Sequence, residues 1–300
     1  MERYIDTFLS SFWGTADWVW KLITLADPNT PIYKNYFYML IIISLFVWAL
    51  ELLFPWRKDQ KAFRKDFWLD GFYMFFNFFI FAIAISGFFS MAEVFLGNFG
   101  LNMQSLALLD LSGLPGWLAL VIFFIINDFV QWFTHVQLHR YEILWRFHKI
   151  HHSVEEMGFA AHLRYHWMEN LFYKPLKTMA VMIVGGFEPT DAYLIHFLAV
   201  LIGHLNHANI RITWGPLKYI FNNPVMHLYH HAKHLPEGQM PGVNFGISLS
   251  IWDYIFRTNY IPQDQDGTYE LGFDDMDDLP KGFFGQLTHG FIPSRKKAEN

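Results

Sequence analysis

Phe67 to Phe95 reads FWLDGFYMFFNFFIFAIAISGFFSMAEVF, and no lysine or arginine occurs anywhere from Asp66 to His139. A hydrocarbon core about 30 Å thick takes roughly 20 helical residues. The stretch therefore predicts two membrane spans, Phe67–Phe95 and Leu114–Thr134, joined by a short loop containing Gly, Asn and Asp. Outward from it, the cation-free stretch Asn35–Trp56 predicts a span over Tyr36–Phe54. A third such stretch, Thr178–Ile210, holds two shorter apolar pieces around Gly185-Gly186 and Glu188-Pro189, read as a helical hairpin or re-entrant pair. The expected fold is an all-α integral membrane protein with four to five transmembrane or re-entrant helices and a helical cap on the cytosolic side.

Composition points the same way. Of 300 residues 53% are hydrophobic, 20% aromatic and 16% charged, where about 25% charged is usual for soluble domains. The absence of Cys excludes disulfides, thiolate zinc sites, cysteine-ligated iron–sulfur clusters and thiolate-ligated haem. A net charge of −5 with no basic block beyond Arg295-Lys296-Lys297 argues against a nucleic-acid partner.

Five Lys/Arg lie in Arg57–Lys65 and six in Arg140–Lys177, which places both segments on the cytoplasmic side by the positive-inside rule. The two spans between them return the chain to that side. The N-terminus is then outside, with Phe8, Phe12, Trp13, Trp18 and Trp20 in the membrane interface. The opening MERYIDTFLSSFW lacks the basic and apolar regions of a cleavable signal peptide. The chain divides into an N-terminal interfacial segment (1–35), a membrane-embedded domain (36–260) and a C-terminal tail (261–300), whose Asp274-Asp275 and Asp277-Asp278 pairs read as disordered.

The histidines carry the chemistry. His135 and His139 are spaced i, i+4 where the third span ends; HKIHH supplies His148, His151 and His152, and HLYHH supplies His227, His230 and His231. On a helix, i, i+3 and i+4 share a face, with Cβ atoms about 5–6 Å apart. Imidazole is a neutral donor suited to iron, zinc, copper or nickel. At the chain's 5% His content one H-x-x-H-H arises by chance in about 4% of such chains, and two copies are much rarer. Eight imidazoles exceed the needs of one ion, so two ions sharing a site is the economical reading. The bland alternative, solvated histidines on cytoplasmic helices, does not account for the repeated box.

The run DFVQWFTHVQLHRYEILWRFHKIHHS, then RYHWMEN, HANIRITWGPLKYIFNNPVMHLYHH and NFGISLSIWDYIF, resembles the fatty acid hydroxylase/sterol desaturase superfamily of membrane histidine-box oxygenases over about Glu51 to Thr258. WGPLKYIFNNPVMHLYHH is most similar to its alkylglycerol monooxygenase branch. The resemblance implies a cytosolic-side di-iron site that activates O2 to hydroxylate or desaturate a fatty acyl, sterol or ether-lipid substrate. Its residue-by-residue match implies His135, His139, His148, His151, His152, His227, His230 and His231 as ligands, with His207 a ninth and His204 a further candidate. Val136 stands where the family commonly has Arg in its first box, and Trp167 where it has Pro.

No G-x-G-x-x-G is present, so electrons are expected from a separate reductase, ferredoxin, cytochrome or tetrahydropterin. The alternatives are a membrane zinc or iron transporter and a non-catalytic haem-binding membrane protein. The transporter would place His along a path near the bilayer midplane, and the haem protein needs only two axial imidazoles. Asp128, seven residues before His135, is a candidate to accept a hydrogen bond from a ligand imidazole. Asp253, Asn223 and Asn244 are read as structural, Arg164 and Glu169 as a pair within the cap. His162, His166, His196, His234 and His289 are read as polar-network or surface residues. The Phe-rich run Phe72–Phe89 should face lipid and in part line an acyl channel.

Overall fold

The computed structural model describes residues 1–101, 109–173, 176, 184–185, 189–235, 238, 242–262, 267 and 269–291. Among them the chain is helical apart from a two-residue parallel pairing of Leu109–Asp110 with Val184–Gly185. Three helices are long and apolar enough to cross a membrane: α2 (Tyr36–Leu53), the continuous rod Phe67–Gly97, and α5 (Gly116–Arg140). These are the three long spans expected, each shifted by a few residues. Of the expected hairpin, the second arm is α8 (Pro189–His207), whose apolar part, Leu194–His207, is shorter than a span. Residues 177–183 and 186–188 lie outside the described residues.

The rod is α3 (Phe67–Phe75), a π-helical turn over Phe76–Ile80, and α4 (Phe81–Gly97). A π turn shifts the register by one residue, and here it holds Asn77, buried, with its amide donating to the Tyr165 carbonyl at 2.9 Å. The amphipathic α1 (Glu2–Thr24) packs along α4, and Gly87 leaves no room for a Cβ beside the Phe8 ring. Asn35 caps α2 by accepting from Phe37 N at 3.1 Å and Tyr38 N at 3.3 Å, and ties it to α1 by donating to Leu22 O at 2.9 Å. Leu40, Ile43, Met74 and Val200 form the core where α2, α3 and α8 meet.

α5 has 25 residues, about 38 Å of helix, so its last turns project beyond a core of about 30 Å. The cap begins there. It comprises α6 (Glu142–His152), the 3-10 turn Phe159–Leu163, α7 (residues 167–173), α9 (Pro224–His230) and α10 (Ile251–Phe256). The two basic segments touch within it: Arg57 Nη2 donates to Met157 O at 2.9 Å and Lys65 N to Glu156 Oε2 at 2.8 Å, as two segments on one side of a membrane would. Under the spans, buried Arg164 pairs with Asp66 at 3.1 Å and Asp70 at 3.2 Å, and Arg64 with Asp70. Arg164 therefore does not pair with Glu169: its guanidinium reaches the carboxylates that α3 brings to it.

The tail departs from expectation as well. Residues 269–291 fold back on the cap, where α11 (Phe283–Thr288) sets Gln286 to accept from Tyr73 OH at 2.9 Å and Leu287 O to accept from the Trp167 indole at 2.8 Å. Leu279 and Phe283 pack with Tyr73 and Ile150. These apolar positions just after the acidic pairs give the segment a face to bury, which its charge alone conceals.

Candidate metal centre

Four helices deliver the imidazoles: α5, α6, α9 and α8, which ends on His207. α5 ends on His135 and His139; Tyr141 breaks the helix in an extended conformation, φ −101° and ψ 120°, and α6 starts at once. α9 is held by Asn223, whose side chain accepts from Met226 N at 3.0 Å, with Pro224 in its first turn. At about 100° per residue, i and i+4 lie about 40° apart on a helix, while i+3 lies about 100° from i+4. Each H-x-x-H-H box therefore splits. His148 and His152 of α6 join His135, His139 and His230; His227 and His231 of α9 join His151 and His207. Each box gives its i, i+4 pair to one nest and its i+3 member to the other.

In each nest the ring nitrogens lie within 4.8 Å of one another, and the nests abut, with the His152 and His231 rings stacked 4.3 Å apart. The structure thus brings together all nine histidines proposed from the sequence. His204 stands apart, its Nε2 3.1 Å from Ser44 Oγ and its Nδ1 2.9 Å from His162 Nδ1. His166 bonds Leu287 O, His196 bonds Tyr36 OH and His234 lies against Glu270.

The tautomers can be read from the outer nitrogens. Backbone carbonyls accept from the Nδ1 of His135 (Phe245 O, 2.7 Å), His151 (Arg164 O, 3.1 Å), His207 (Gly203 O, 2.8 Å) and His230 (Val243 O, 2.7 Å). A carbonyl only accepts, so each Nδ1 carries the proton and each Nε2 presents a lone pair. The Nε2 atoms of His151 and His207 face each other at 3.3 Å, lone pair against lone pair. The buried Nε2 atoms of His152 and His230 and Nδ1 atoms of His227 and His231 have no hydrogen-bond partner among the described residues. Burial, and next the neighbouring imidazoles, push His148, His152, His227, His230 and His231 well below the usual histidine value, and burial brings His151 down to about 3. Neutral imidazoles with converging lone pairs in a buried site fit cations and fit nothing else as well.

Glu169 is what the sequence reading missed. Its carboxyl meets His148 Nδ1 at 3.0 Å and accepts from His166 N at 3.3 Å, and burial pushes it up to about 8. A carboxylate behind a ligand imidazole fixes the ring and raises its basicity. Asp128, proposed for that task, instead accepts from Ser248 N (3.2 Å), Leu249 N (3.3 Å) and the Trp252 indole (3.0 Å). Seven residues from His135 is about 10.5 Å along the helix, beyond imidazole reach. Asp253, read as structural, accepts from Trp132 Nε1 (3.0 Å), Phe245 N (2.9 Å) and Gly246 N (2.8 Å), which sets the Phe245 carbonyl on His135. Asn244, at φ 53°, bridges Met226 O and Tyr260 O.

A cavity of about 340 Å³ opens on the nests, walled by His135, His148, His151, His207 and His227 at one end and by Phe78, Ala199 and Val200 farther along. Phe78 is the member of the Phe-rich run that lines it.

With this geometry in view, the chain can be compared with known proteins. Residues 120–258, just under half of the chain, match the family model described as fatty acid hydroxylase. The chain is 33% identical over 178 residues to the ornithine lipid hydroxylase OlsE of Rhizobium tropici, covering 59% of this chain and 51% of that protein. It is 29% identical over 136 residues to the alkylglycerol monooxygenase of Homo sapiens (44% and 28%), and 28% over 143 to methylsterol monooxygenase 1-1 of Arabidopsis thaliana (47% and 46%). The matches thus span about half the length of these relatives or less. No solved structure matches.

Proposed function

We propose that this chain is an O2-dependent lipid oxidoreductase whose nine imidazoles hold two iron ions, His135, His139, His148, His152 and His230 one, His151, His207, His227 and His231 the other. Bound there, the ions would supply the O2 activation that an unreactive C–H bond requires. The chain's residues do the rest. Carbonyls 164, 203, 243 and 245 and the Glu169 carboxyl fix the rings before any ion arrives, which lowers the reorganisation that binding needs. The cavity brings a lipid chain to the nests, and its apolar wall excludes water from the reacting carbon.

The observation that carries this reading is the pair of abutting nests with lone pairs turned inward beside a cavity. The named relatives, a lipid hydroxylase and two monooxygenases, favour iron and a lipid substrate over zinc and hydrolysis. The nests lie at the end of α5 and on cap helices, which speaks against a transport path through the midplane. Five and four crowded imidazoles speak against haem. The nests face the same side as both basic segments, the cytosolic side in this proposal, where a separate protein or a reduced pterin delivers electrons. Hydroxylation is the outcome proposed, on an acyl, sterol or ether lipid.

Elemental analysis of protein purified in detergent tests the site. About two irons per chain, with oxygenated lipid formed only when O2 and a reductant are both supplied, is the expected result. Protein that binds no iron, or turns over without reductant, refutes it.

A further inference from the structure

Gln131 sits on α5 one turn before His135 and lines the same cavity. The residue is only 8% exposed, and what it presents opens on the cavity. The other polar groups of that wall are engaged: Asn170 donates to Asn77 Oδ1 at 3.3 Å, Glu169 meets His148 and His166, and His196 meets Tyr36 OH at 2.6 Å. An amide that opens on a cavity is available to hydrogen-bond whatever fills it. Leu163, Val200 and Ile247 line the same cavity, so apolar side chains fit its wall.

We propose that Gln131 is the recognition residue for the polar group of the substrate, and that this group is a hydroxyl or a carboxamide. The inference rests on the lipid-oxygenase reading of the site. A glutamine amide offers both donors and an acceptor. Hydroxyls and carboxamides answer both; hydrocarbon answers neither, and an ether or ester oxygen only accepts. Positions i and i+4 hold their Cβ atoms about 6 Å apart, the length of about five bonds in an extended chain. A lipid bonded to Gln131 therefore presents to the His135 nest a carbon close along the chain to its hydroxyl or amide. The site is selective for the region next to the polar group, and the distal part of the chain extends away along Phe78, Ala199 and Val200.

The test is equilibrium binding of tritiated N-dodecylacetamide and tritiated tetradecane to the full chain in lipid nanodiscs. Wild type is compared with Gln131→Leu and Gln131→Met, and thermal unfolding is followed in parallel. Saturable binding of the amide, weakened about tenfold in both variants, with tetradecane bound no worse and the melting temperature unchanged or raised, is the expected pattern. Affinity lost with the fold unweakened is the mark of a recognition role, whereas loss of a structural residue would lower the melting temperature. Amide binding equal in wild type and variants, or not saturable in wild type, overturns the proposal and means that Gln131 is satisfied by water. Iron content and oxygenated product report separately on the lipid-oxygenase reading, so the two can fail independently.

Discussion

Two buried polar clusters lie within the same cap. In one, Arg64, Arg164 and Asp70 are each at most 5% exposed, and with Asp66 they close their charges on one another; Arg164 Nε is the guanidinium nitrogen of the cluster left over. In the other, nine imidazoles converge and several ring nitrogens reach nothing in the protein. Burial is equal; satisfaction is not. A cluster that answers its own charges fixes the fold, here by tying the start of α3 to the loop before α7. A cluster that leaves neutral donors facing one another is finished only by something the chain does not contain.

Substitutions should pull the two apart, and the largest effect is expected in the closed cluster. Arg164→Met strips Asp70 and Asp66 of a shared partner and should destabilise the fold by about 3–5 kcal/mol, seen as lost yield and early thermal unfolding in detergent whether or not metal is supplied. Retained stability would mean that the carboxylates find water and that the contrast between clusters is weaker than drawn.

The open cluster should respond in the opposite way. His151→Ala with His230→Ala removes one imidazole from each nest, and should abolish bound metal and activity while far-UV circular dichroism keeps the helical signal. His289→Ala, outside both nests, should leave metal and turnover intact. A smaller effect is expected one bond network outward. Glu169→Gln keeps the shape behind His148 but cannot carry the carboxylate charge, and should weaken metal affinity about 10–100-fold, read by competition with a chelator. Smallest is Asn223→Ala, which removes the cap of α9 and should cost about 1 kcal/mol in thermal unfolding, with metal stoichiometry unchanged; loss of metal there would show that the box needs its cap for geometry as well as stability.

The spans were legible because lipid imposes a rule on composition: Tyr36–Leu53, Phe67–Gly97 and Gly116–Arg140 are charge-poor at the required length, and nothing tertiary is needed to see it. Eight of the nine histidines were legible because helical spacing alone puts His135 with His139, His148 with His152 and His227 with His231 on shared faces, with His151 and His230 in the same boxes; His207 entered only through the family resemblance. The tail was misread because the charge of Asp274, Asp275, Asp277 and Asp278 outweighs, in composition, the few apolar residues that dock it. Asp128 was misplaced for a different reason: periodicity reports the face of a helix and ignores the distance along it.

What the sequence determined by itself is therefore what depends on local geometry and on solvent, namely the helices long and apolar enough to cross a membrane and the residue types gathered at their ends. Only the tertiary structure decided how each histidine box divides between two nests, because that depends on the angle at which α5, α6 and α9 meet. Only it assigned Glu169 to His148, Arg164 to Asp66 and Asp70, and the carbonyls of Val243 and Phe245 to the rings of His230 and His135. Hydrogen-bond partners distant in sequence carry no periodic signature, and a backbone carbonyl carries no residue identity at all.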